Sequence, residues 1–412
     1  MRIVILTQYY PPEIGAPQNR LFDLARRFVQ WGHEVQVLTA MPSYPGNKVF
    51  PEYAGQSVLT ESRDGVTVTR LALCVPRRKT FWKRIVHYCS FALHAAVRGP
   101  RFLDRGDFLI TESPPLFLAP VGHYLARRLG AICVLNVADL WPASAVQLGM
   151  LKPGLAEKAG VVLEEWSYRR AELIFGQSNG IVRDIKERFP EKPVYLYPNG
   201  ADMDLWRKLP DRSDLRRDWG WPQDEFIVGH VGLHGHLQAL EQVLGAAQRL
   251  RKERRIRVVF FGDGPTKESL QARAKDLSLP NVHFYPPVPH KTVPGIFAAL
   301  DAGLVTLAAG RVFEGIRPAK LFEIMAAGLP VVMAGSGEPA KLVEEAEAGV
   351  TVLPESPVDL SRAIVRLSLD PGECKKMGQR GRGYVMEHFD REKIAKSVEN
   401  VLLSHLPGRR LV

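Results

Sequence analysis

The stretch Arg311-Val-Phe-Glu-Gly-Ile-Arg-Pro-Ala-Lys-Leu-Phe-Glu-Ile-Met-Ala-Ala-Gly-Leu-Pro-Val-Val332 predicts a polar loop, a short helix, a sharp stop and a buried strand. Pro318 suits the first turn of the helix, where its missing N–H has no intrahelical partner to lose. Gly328 suits a left-handed helix end, and Pro330 prevents the helix from resuming. The apolar residues from Leu329 onward are typical of a strand in a parallel sheet.

The front of this helix is predicted to bind an anion. Free backbone N–H groups at a helix start attract phosphate, and Arg317 and Lys320 add positive charge there. Glu323 follows Lys320 by about one turn, so both residues face the same side of the helix. A carboxylate next to a phosphate site suits the vicinal hydroxyls of a ribose. The alternative is an ordinary helix, in which Arg317 and Lys320 pair with Glu314 and Glu323.

The same stretch resembles the signature of retaining GT-B glycosyltransferases of family 4. The residues from Glu323 to Val332 follow the Glu-x-Met-Ala-x-Gly-x-Pro-Val pattern of that family. The position eight residues before Glu323 holds Gly315 instead of the family's first glutamate, and Glu314 lies one position earlier. The Pro-x-Lys-x-x-Glu form resembles a branch that includes O-antigen, capsule and colanic-acid transferases, with fucosaminyl-transferase-like proteins among them.

Length and composition favour a two-domain globular protein. A chain of 412 residues can bury two cores, and 46% apolar with 24% charged residues is ordinary for a globular protein. No apolar run reaches the roughly 20 residues of a membrane span, and the N-terminus predicts a strand and not a signal peptide. The cysteines lack CxxC spacing, which indicates a reducing, cytoplasmic compartment and no structural zinc.

The net charge of +11 indicates an anionic partner or surface. Nucleic acid is not expected, because the chain carries neither a zinc-finger nor an RNA-binding signature. The segment from Arg77 to Arg84 is basic and aromatic and precedes an apolar helix, which suits peripheral docking at the anionic inner face of a cell membrane. The alternative is a core helix with a solvated basic start.

The first half of the chain begins as a doubly wound unit. A buried strand at Ile3 to Leu6, a loop, a helix from Arg20 to Phe28 and another strand follow in order. In the loop, Gly15, followed by Ala16, would let the backbone approach a diphosphate at the helix start. Asp139 follows a later buried strand, at a carboxyl end where ligands bind. It is a candidate catalytic residue or a cap of the next segment.

The second half restarts with a strand at Phe226 to Val231 and a glycine loop containing Gly232, His234 and Gly235. In the family this loop faces the donor diphosphate, and many members carry an arginine and a lysine here that this chain lacks. Arg317 and Lys320 are therefore expected to replace that pair. His234 and His236 could bind a metal, but no third ligand is evident, and no metal is expected.

The resemblance implies an α/β, GT-B fold of two doubly wound Rossmann-like domains with a cleft between them. The acceptor-side domain is expected at 1–205, with a C-terminal helix at 390–412 packing back on it, and the nucleotide-sugar domain at 206–389. Asp139, Arg317 and Lys320 are the candidate catalytic residues. The residues expected to bind the donor are Gly15, Ala16, Gly232, His234, Gly235, Val288, Glu314, Gly315, Ile316, Leu321 and Glu323.

The implied activity is retaining transfer of a sugar from a nucleotide diphosphate sugar, most simply a UDP-sugar. The acceptor would be lipid-linked or a saccharide, in the synthesis of a cell-surface polysaccharide. No cofactor and no metal are expected, because helix N-termini and cations can stabilise the leaving diphosphate. Two alternatives stay open at this point: a nucleotide-sugar 2-epimerase of the same fold, and a non-catalytic binding subunit at the membrane.

Overall fold

A computed structural model describes residues 1–44, 48–76, 81–253 and 255–406, without the side chains of residues 81, 82 and 84. The chain divides into two compact units. The first consists of Met1–Pro198 with Glu392–Val412, and the second of Asn199–Arg391.

The first unit alternates strands and helices. Its elements are β1 (Arg2–Leu6), α1 (Ala16–Gln30), β2 (Glu34–Ala40), β3 (Val58–Arg63), β4 (Val66–Leu71), α2 (Phe81–Arg98), β5 (Phe108–Ser113), α3 (Leu118–Leu129), β6 (Ile132–Val137), α4 (Ala143–Gln147), α5 (Leu155–Arg170), β7 (Leu173–Gly176), α6 (Asn179–Arg188) and β8 (Val194–Leu196).

The sheet of this unit has the order β3-β4-β2-β1-β5-β6-β7-β8. Only β3 runs antiparallel to its neighbour among the strand pairs of the described residues. The predicted strand at Ile3 to Leu6 is confirmed as β1, which pairs in parallel with β2 and β5. The strand order reverses at β1, so the loop that follows β1 lies at the switch point where ligands bind in such sheets.

The core below this sheet is closed by α1 and by the last helix of the chain. The predicted apolar face of α1 is confirmed, since its predicted members are all buried: Leu21, Leu24, Ala25 and Phe28. The last helix, Arg391–Ser404, contributes to the same apolar cluster with Ile394, Ala395, Val398 and Leu402. Its Glu399 also contacts the His33 ring, with 2.6 Å between Oε1 and Nε2.

The second unit repeats the pattern. Its elements are α7 (Arg212–Asp218), β9 (Phe226–Val231), α8 (Glu241–Arg249), β10 (Ile256–Phe261), α9 (Lys267–Asp276), β11 (Val282–Tyr285), α10 (Val293–Ala299), β12 (Ala302–Thr306), α11 (Ala319–Ala326), β13 (Val331–Ala334), α12 (Glu338–Glu345), β14 (Gly349–Val352), α13 (Pro357–Ser368) and α14 (Pro371–His388). The last helix of the chain, α15 (Arg391–Ser404), follows them and returns to the first unit.

The sheet of the second unit is parallel, with the order β11-β10-β9-β12-β13-β14. In order of appearance this is 3-2-1-4-5-6, the Rossmann arrangement, whose switch point lies between β9 and β12. Gly232 follows β9, and the loop leading to α11 follows β12. The fold therefore brings the two stretches that the sequence predicted for donor binding to the same edge of one sheet.

Two sequence expectations about the whole chain bear on this architecture. Within residues 1–44, 48–76, 81–253 and 255–406, no helix is long and apolar enough to cross a membrane. The cysteines are free thiols, with Cys74 and Cys89 exposed and Cys133 and Cys374 buried.

Candidate active site

The front of α11 differs by one residue from the sequence prediction. Pro318 is the residue that caps the helix, with φ −63° and ψ 131°, and the helix begins at Ala319. The prediction that Pro318 lies in the first turn is therefore wrong, because its ψ angle is extended. The other end is as predicted: Gly328 has a left-handed φ of +74° after the helix. Lys320 consequently lies in the first turn of the helix, whose N-terminal end carries a partial positive charge.

Lys320 lies against the glycine loop that follows β9. Gly232 has a φ of +129°, and a Cβ added to it would be 3.6 Å from the Lys320 ammonium nitrogen. That nitrogen is 2.9 Å from Nε2 of His230. Among the ion pairs of the described residues, none joins Lys320 to a carboxylate. The fold thus places a half-buried cation beside an open backbone turn, which is a suitable arrangement for an anion.

Burial strongly affects the charges of this cluster. Burial lowers the pKa of Lys320 to about 7, and the nearby Glu323 carboxylate acts in the opposite direction. Burial, with Lys320 next in importance, lowers the pKa of His230 well below its usual value. The His230 ring is therefore neutral near pH 7. Its Nε2 can donate to the Leu233 carbonyl, 3.2 Å away, and its Nδ1, 3.3 Å from the Lys320 ammonium nitrogen, can accept a hydrogen bond from that group.

A second glycine turn supports the first. The Gly232 N–H donates to the Phe261 carbonyl at the end of β10, over 2.8 Å. Gly262 has a φ of +138°, and a Cβ there would be 1.9 Å from the Gly232 carbonyl oxygen. The Gly-Asp-Gly-Pro turn at 262–265 therefore packs directly on the glycine loop after β9, and any side chain at Gly262 would displace that loop.

Glu323 lies one turn beyond Lys320 and contacts a histidine. Its Oε1 lies 3.1 Å from Nε2 of His290. Burial acts to raise the pKa of Glu323, but the hydrogen bond and charge of His290, followed by Arg391 and Lys320, lower it overall. Glu323 is therefore a carboxylate near neutral pH, as hydrogen bonding to ribose hydroxyls requires.

Arg317 is held differently from Lys320. Its side chain is 4% exposed and forms an ion pair with Glu338 at the start of α12. Its guanidinium carbon also lies 5.4 Å from the centre of the Phe389 ring, and its carbonyl accepts from Asn199. Glu338, not Glu314, is the carboxylate that contacts Arg317. The expectation that Arg317 and Lys320 converge on one anion stays a prediction.

The two histidines of the glycine loop, His234 and His236, differ in burial. His234 is buried, with its ring centre 5.6 Å from that of His230, and His236 is exposed. Burial, with Lys267 and Lys320, lowers the pKa of His234 to about 4. No group of three or more histidine, cysteine, aspartate or glutamate residues that could hold a metal occurs in the described part of the chain. The metal-free expectation stays a prediction.

The remaining donor-side candidates differ in exposure. Leu321 is fully buried in the core, and Val288 packs against that core. Glu314 and Gly315 lie in a short 3-10 turn, with Ile316 extended after it. The Glu314 side chain is exposed, while its backbone lies against Gly337. Gly235 is buried, and a Cβ on it would be 2.7 Å from Oε1 of Gln238.

The candidates of the first unit lie after β1 and β6. Gly15 and Ala16 start α1, and a Cβ on Gly15 would be 2.4 Å from Oε1 of Gln18. Asp139 follows β6 and accepts a hydrogen bond from the Ser144 hydroxyl of α4 over 2.7 Å. Burial raises its pKa, partly offset by the Ser144 and Leu140 hydrogen bonds. The structure thus shows the local tie to the next segment, and a catalytic role of Asp139 stays a prediction.

Two residues were missed by sequence reasoning. His230 could have been noticed as a polar residue near the carboxyl end of an apolar strand. His290 follows a run of prolines and has no periodic signal. Their partners, Lys320 and Glu323, were both predicted site residues.

The sheet orders define a doubly wound α/β protein, and the glycine turn with the charged start of α11 forms a candidate anion-binding site in its second unit. Family models assign each half. The "Glycosyl transferase 4-like domain" matches residues 15–200, and "Glycosyl transferases group 1" matches residues 211–384. The chain is therefore a glycosyltransferase built from these two domains.

Relatives and solved structures agree with this assignment. The putative colanic acid biosynthesis glycosyl transferase WcaI of Escherichia coli (strain K12) is 27% identical over 97% of this chain and 99% of its own length. Sucrose-phosphate synthase from Thermosynechococcus elongatus superposes with a TM-score of 0.76 at 18% identity, over 98% of both chains. Anabaena Alr3699/HepE, in complex with UDP and glucose, gives 0.74 at 18% identity, over 98% of this chain and 100% of its own. The fold is GT-B, as predicted.

Proposed function

We propose that this glycosyltransferase transfers a sugar, with retained anomeric configuration, from a UDP-sugar to a lipid-linked or saccharide acceptor in cell-surface polysaccharide synthesis. The observation that carries the donor part is the Lys320 ammonium group. It is half-buried, adjoins Gly232 and the first turn of α11, and contacts a neutral histidine. A half-buried cation of this kind is best compensated by an anionic ligand.

The roles of the individual groups follow from the charge that develops in the reaction. When the glycosidic bond breaks, the diphosphate gains negative charge, and preorganised donors at that position lower the barrier. Lys320, the Gly232 backbone and the start of α11 would supply them. Glu323 would bind the ribose hydroxyls. We propose no protein base and no metal for the transfer.

The finer parts of the proposal rest on the relatives and the resemblance. Colanic acid biosynthesis is the role stated in the name of the Escherichia coli relative, and UDP is the nucleotide bound in the Anabaena protein. Retention of configuration is proposed because the sequence of α11 and β13 resembles the signature of retaining glycosyltransferases. The acceptor would bind to the first unit, where Asp139 follows the carboxyl end of a strand.

The donor proposal predicts selective stabilisation by one nucleotide. A thermal-shift screen with UDP-, GDP-, ADP- and dTDP-sugars should give the largest shift with the UDP-sugar. A ligand at 100 times its Kd adds about 2.7 kcal/mol to the free energy of unfolding. Stabilisation by another nucleotide would contradict the UDP assignment, and a lack of stabilisation by all four would contradict donor binding.

Acceptor dependence separates the transferase from the epimerase alternative. Release of UDP from the donor should require a saccharide or lipid-linked acceptor, and the new glycosidic bond should have the donor's anomeric configuration. A 2-epimerase would instead convert the free donor without an acceptor. NMR spectroscopy of the product distinguishes these outcomes and tests retention directly.

We also propose that the first unit docks on an anionic membrane surface through α2. Residues 77–80 of the predicted basic segment, and the side chains of residues 81, 82 and 84, lie outside the described part. Lys83 is exposed, and Val86, Leu93 and Val97 are 52%, 63% and 62% exposed at helical spacing on one face. Phe91 is buried, so the other face belongs to the core. An apolar stripe beside an exposed lysine suits the membrane interface.

The membrane proposal predicts salt-dependent flotation. The protein should float with anionic liposomes at low ionic strength and dissociate at high salt, because lipid attraction adds about 1 kcal/mol per basic residue near the surface. Leu93→Glu should reduce flotation several-fold by placing a charge in the apolar stripe. The matched control is Leu369→Glu, since Leu369 is also exposed, at 78%, but lies in the second unit. Equal flotation with neutral vesicles would remove the electrostatic part of the proposal.

A further inference from the structure

We propose that His290 is a positioning residue that orients the Glu323 carboxylate toward the ribose hydroxyls and so gives the site its preference for ribonucleotides. This inference rests on the proposed binding of the donor ribose by Glu323. His290 lies outside the family signature in α11, on a separate segment of the chain.

The loop that carries His290 has little conformational freedom. It runs from the end of β11 to a 3-10 turn at His290–Thr292 and contains Pro286, Pro287 and Pro289. Proline fixes φ, so such a loop loses little entropy when ordered. Val288 packs against the apolar core in the same loop. His290 is therefore presented to α11 from a rigid support.

The contact between His290 and Glu323 uses only part of the carboxylate. Nε2 of His290 lies 3.1 Å from Oε1, and the two side chains are 26% and 14% exposed. An ionised carboxylate has about four lone-pair positions on its two oxygens. A histidine N–H that occupies one of them restricts rotation of the carboxylate and leaves Oε2 for hydroxyl donors. The remaining exposure of both side chains leaves the pair partly accessible to a ligand.

Glu323 would be less well oriented without this contact. Lys320 lies near Glu323, but its ammonium group contacts His230 instead. Within the segments that the structure describes, the His290 ring is the side chain that directly hydrogen-bonds the Glu323 carboxylate. Ribose recognition needs the carboxylate at a defined angle, so a loss of orientation should affect ligands with vicinal hydroxyls and spare ligands without them.

The alternative is that His290 only ties its loop to α11. That role would contribute to the stability of the fold and to all ligands equally. The two roles are separable by a ligand pair that differs only in the sugar hydroxyls, namely UDP and 2′,3′-dideoxyuridine 5′-diphosphate. The ratio of the two dissociation constants distinguishes the roles, because a general loss of folded protein changes both constants equally and leaves their ratio unchanged.

The dissociation constants of both ligands are measured by calorimetry for the unmodified protein and for the variants His290→Ala, His290→Phe and His290→Gln. We expect the alanine and phenylalanine variants to bind UDP about tenfold more weakly, as for loss of one hydrogen bond to a charged group, and to bind the dideoxy ligand as the unmodified protein does. His290→Gln, which keeps an N–H donor, should restore part of the preference. Lys291→Ala is the matched control, since Lys291 is the exposed neighbour on the same turn.

The results separate the role of His290 from the proposed binding of ribose by Glu323. Unchanged UDP affinity in His290→Ala, or an equal loss for both ligands, overturns the role of His290. Glu323→Ala should weaken UDP binding by about 10- to 100-fold without affecting the dideoxy ligand. If Glu323→Ala leaves UDP binding unchanged, ribose binding by Glu323 itself is wrong.

Discussion

Replacing Lys320 with methionine is expected to lower the turnover number by about 10²–10³-fold, with a smaller rise in the donor Michaelis constant. Methionine keeps most of the length and apolar volume of the lysine stem but removes its charge. The diphosphate carries more negative charge in the transition state than in the bound donor. The loss of the cation therefore affects the chemical step more than it affects binding.

The control for this change is Lys341→Met, because Lys341 is an exposed lysine of the same unit, on α12. It should leave the turnover number unchanged. Circular dichroism and thermal unfolding establish that both variants are folded, and initial rates are measured over a range of donor concentrations. Normal turnover in the folded Lys320→Met protein would mean that Lys320 only shapes the loop, and the phosphate-binding role would be abandoned.

The affinity for UDP is expected to fall by about 50-fold between pH 7 and pH 9. Burial lowers the pKa of Lys320 to about 7 in the free protein, and a bound diphosphate raises it again because the opposite charge favours the protonated form. The complex therefore holds more protons than the free protein above pH 7. By linkage, the dissociation constant then rises by up to tenfold per pH unit until the pKa of the complex is reached.

Between pH 7 and pH 9, the other titratable groups around Lys320 keep their protonation states. The lowered pKa values of His230 and His234 keep both rings neutral, and the lowered pKa of Glu323 keeps it ionised. The second ionisation of a terminal phosphate lies near pH 6, so the charge of UDP changes little in this window. Calorimetry in buffers of different ionisation enthalpy should show proton uptake. Lys320→Met should bind weakly and without this pH dependence, and an equally steep dependence in that variant would contradict the assignment.

Local sequence patterns were sufficient for most of the scaffold. The strand β1 and the apolar face of α1 follow from the spacing of apolar residues, and the left-handed helix end at Gly328 follows from a glycine placed before Pro330. The antiparallel pair β3 and β4 was not predicted, although the sequence shows an Asp-Gly pair at its turn. In the structure, Asp64 and Gly65 both have positive φ there. Asp-Gly between alternating residues is a strong hairpin signal.

The choice of partners in the site could not be predicted in the same way. Arg317 and Lys320 are three residues apart, yet one contacts Glu338 and the other His230. Periodicity predicts which face of a helix a residue occupies, but not which distant side chain the fold brings there. Burial then decides charge, as with Lys320, and burial is a property of packing that spacing alone does not determine.

The position of α15 in the core of the first unit has a consequence for synthesis and for protein engineering. Residues 1–198 are synthesised long before the helix Arg391–Ser404. The apolar cluster of the first unit therefore cannot be completed until the end of translation. An isolated fragment of residues 1–198 would expose the surface that Ile394, Val398 and Leu402 normally cover. Chimaeras that exchange the first unit between enzymes of this class should therefore exchange this terminal helix as well.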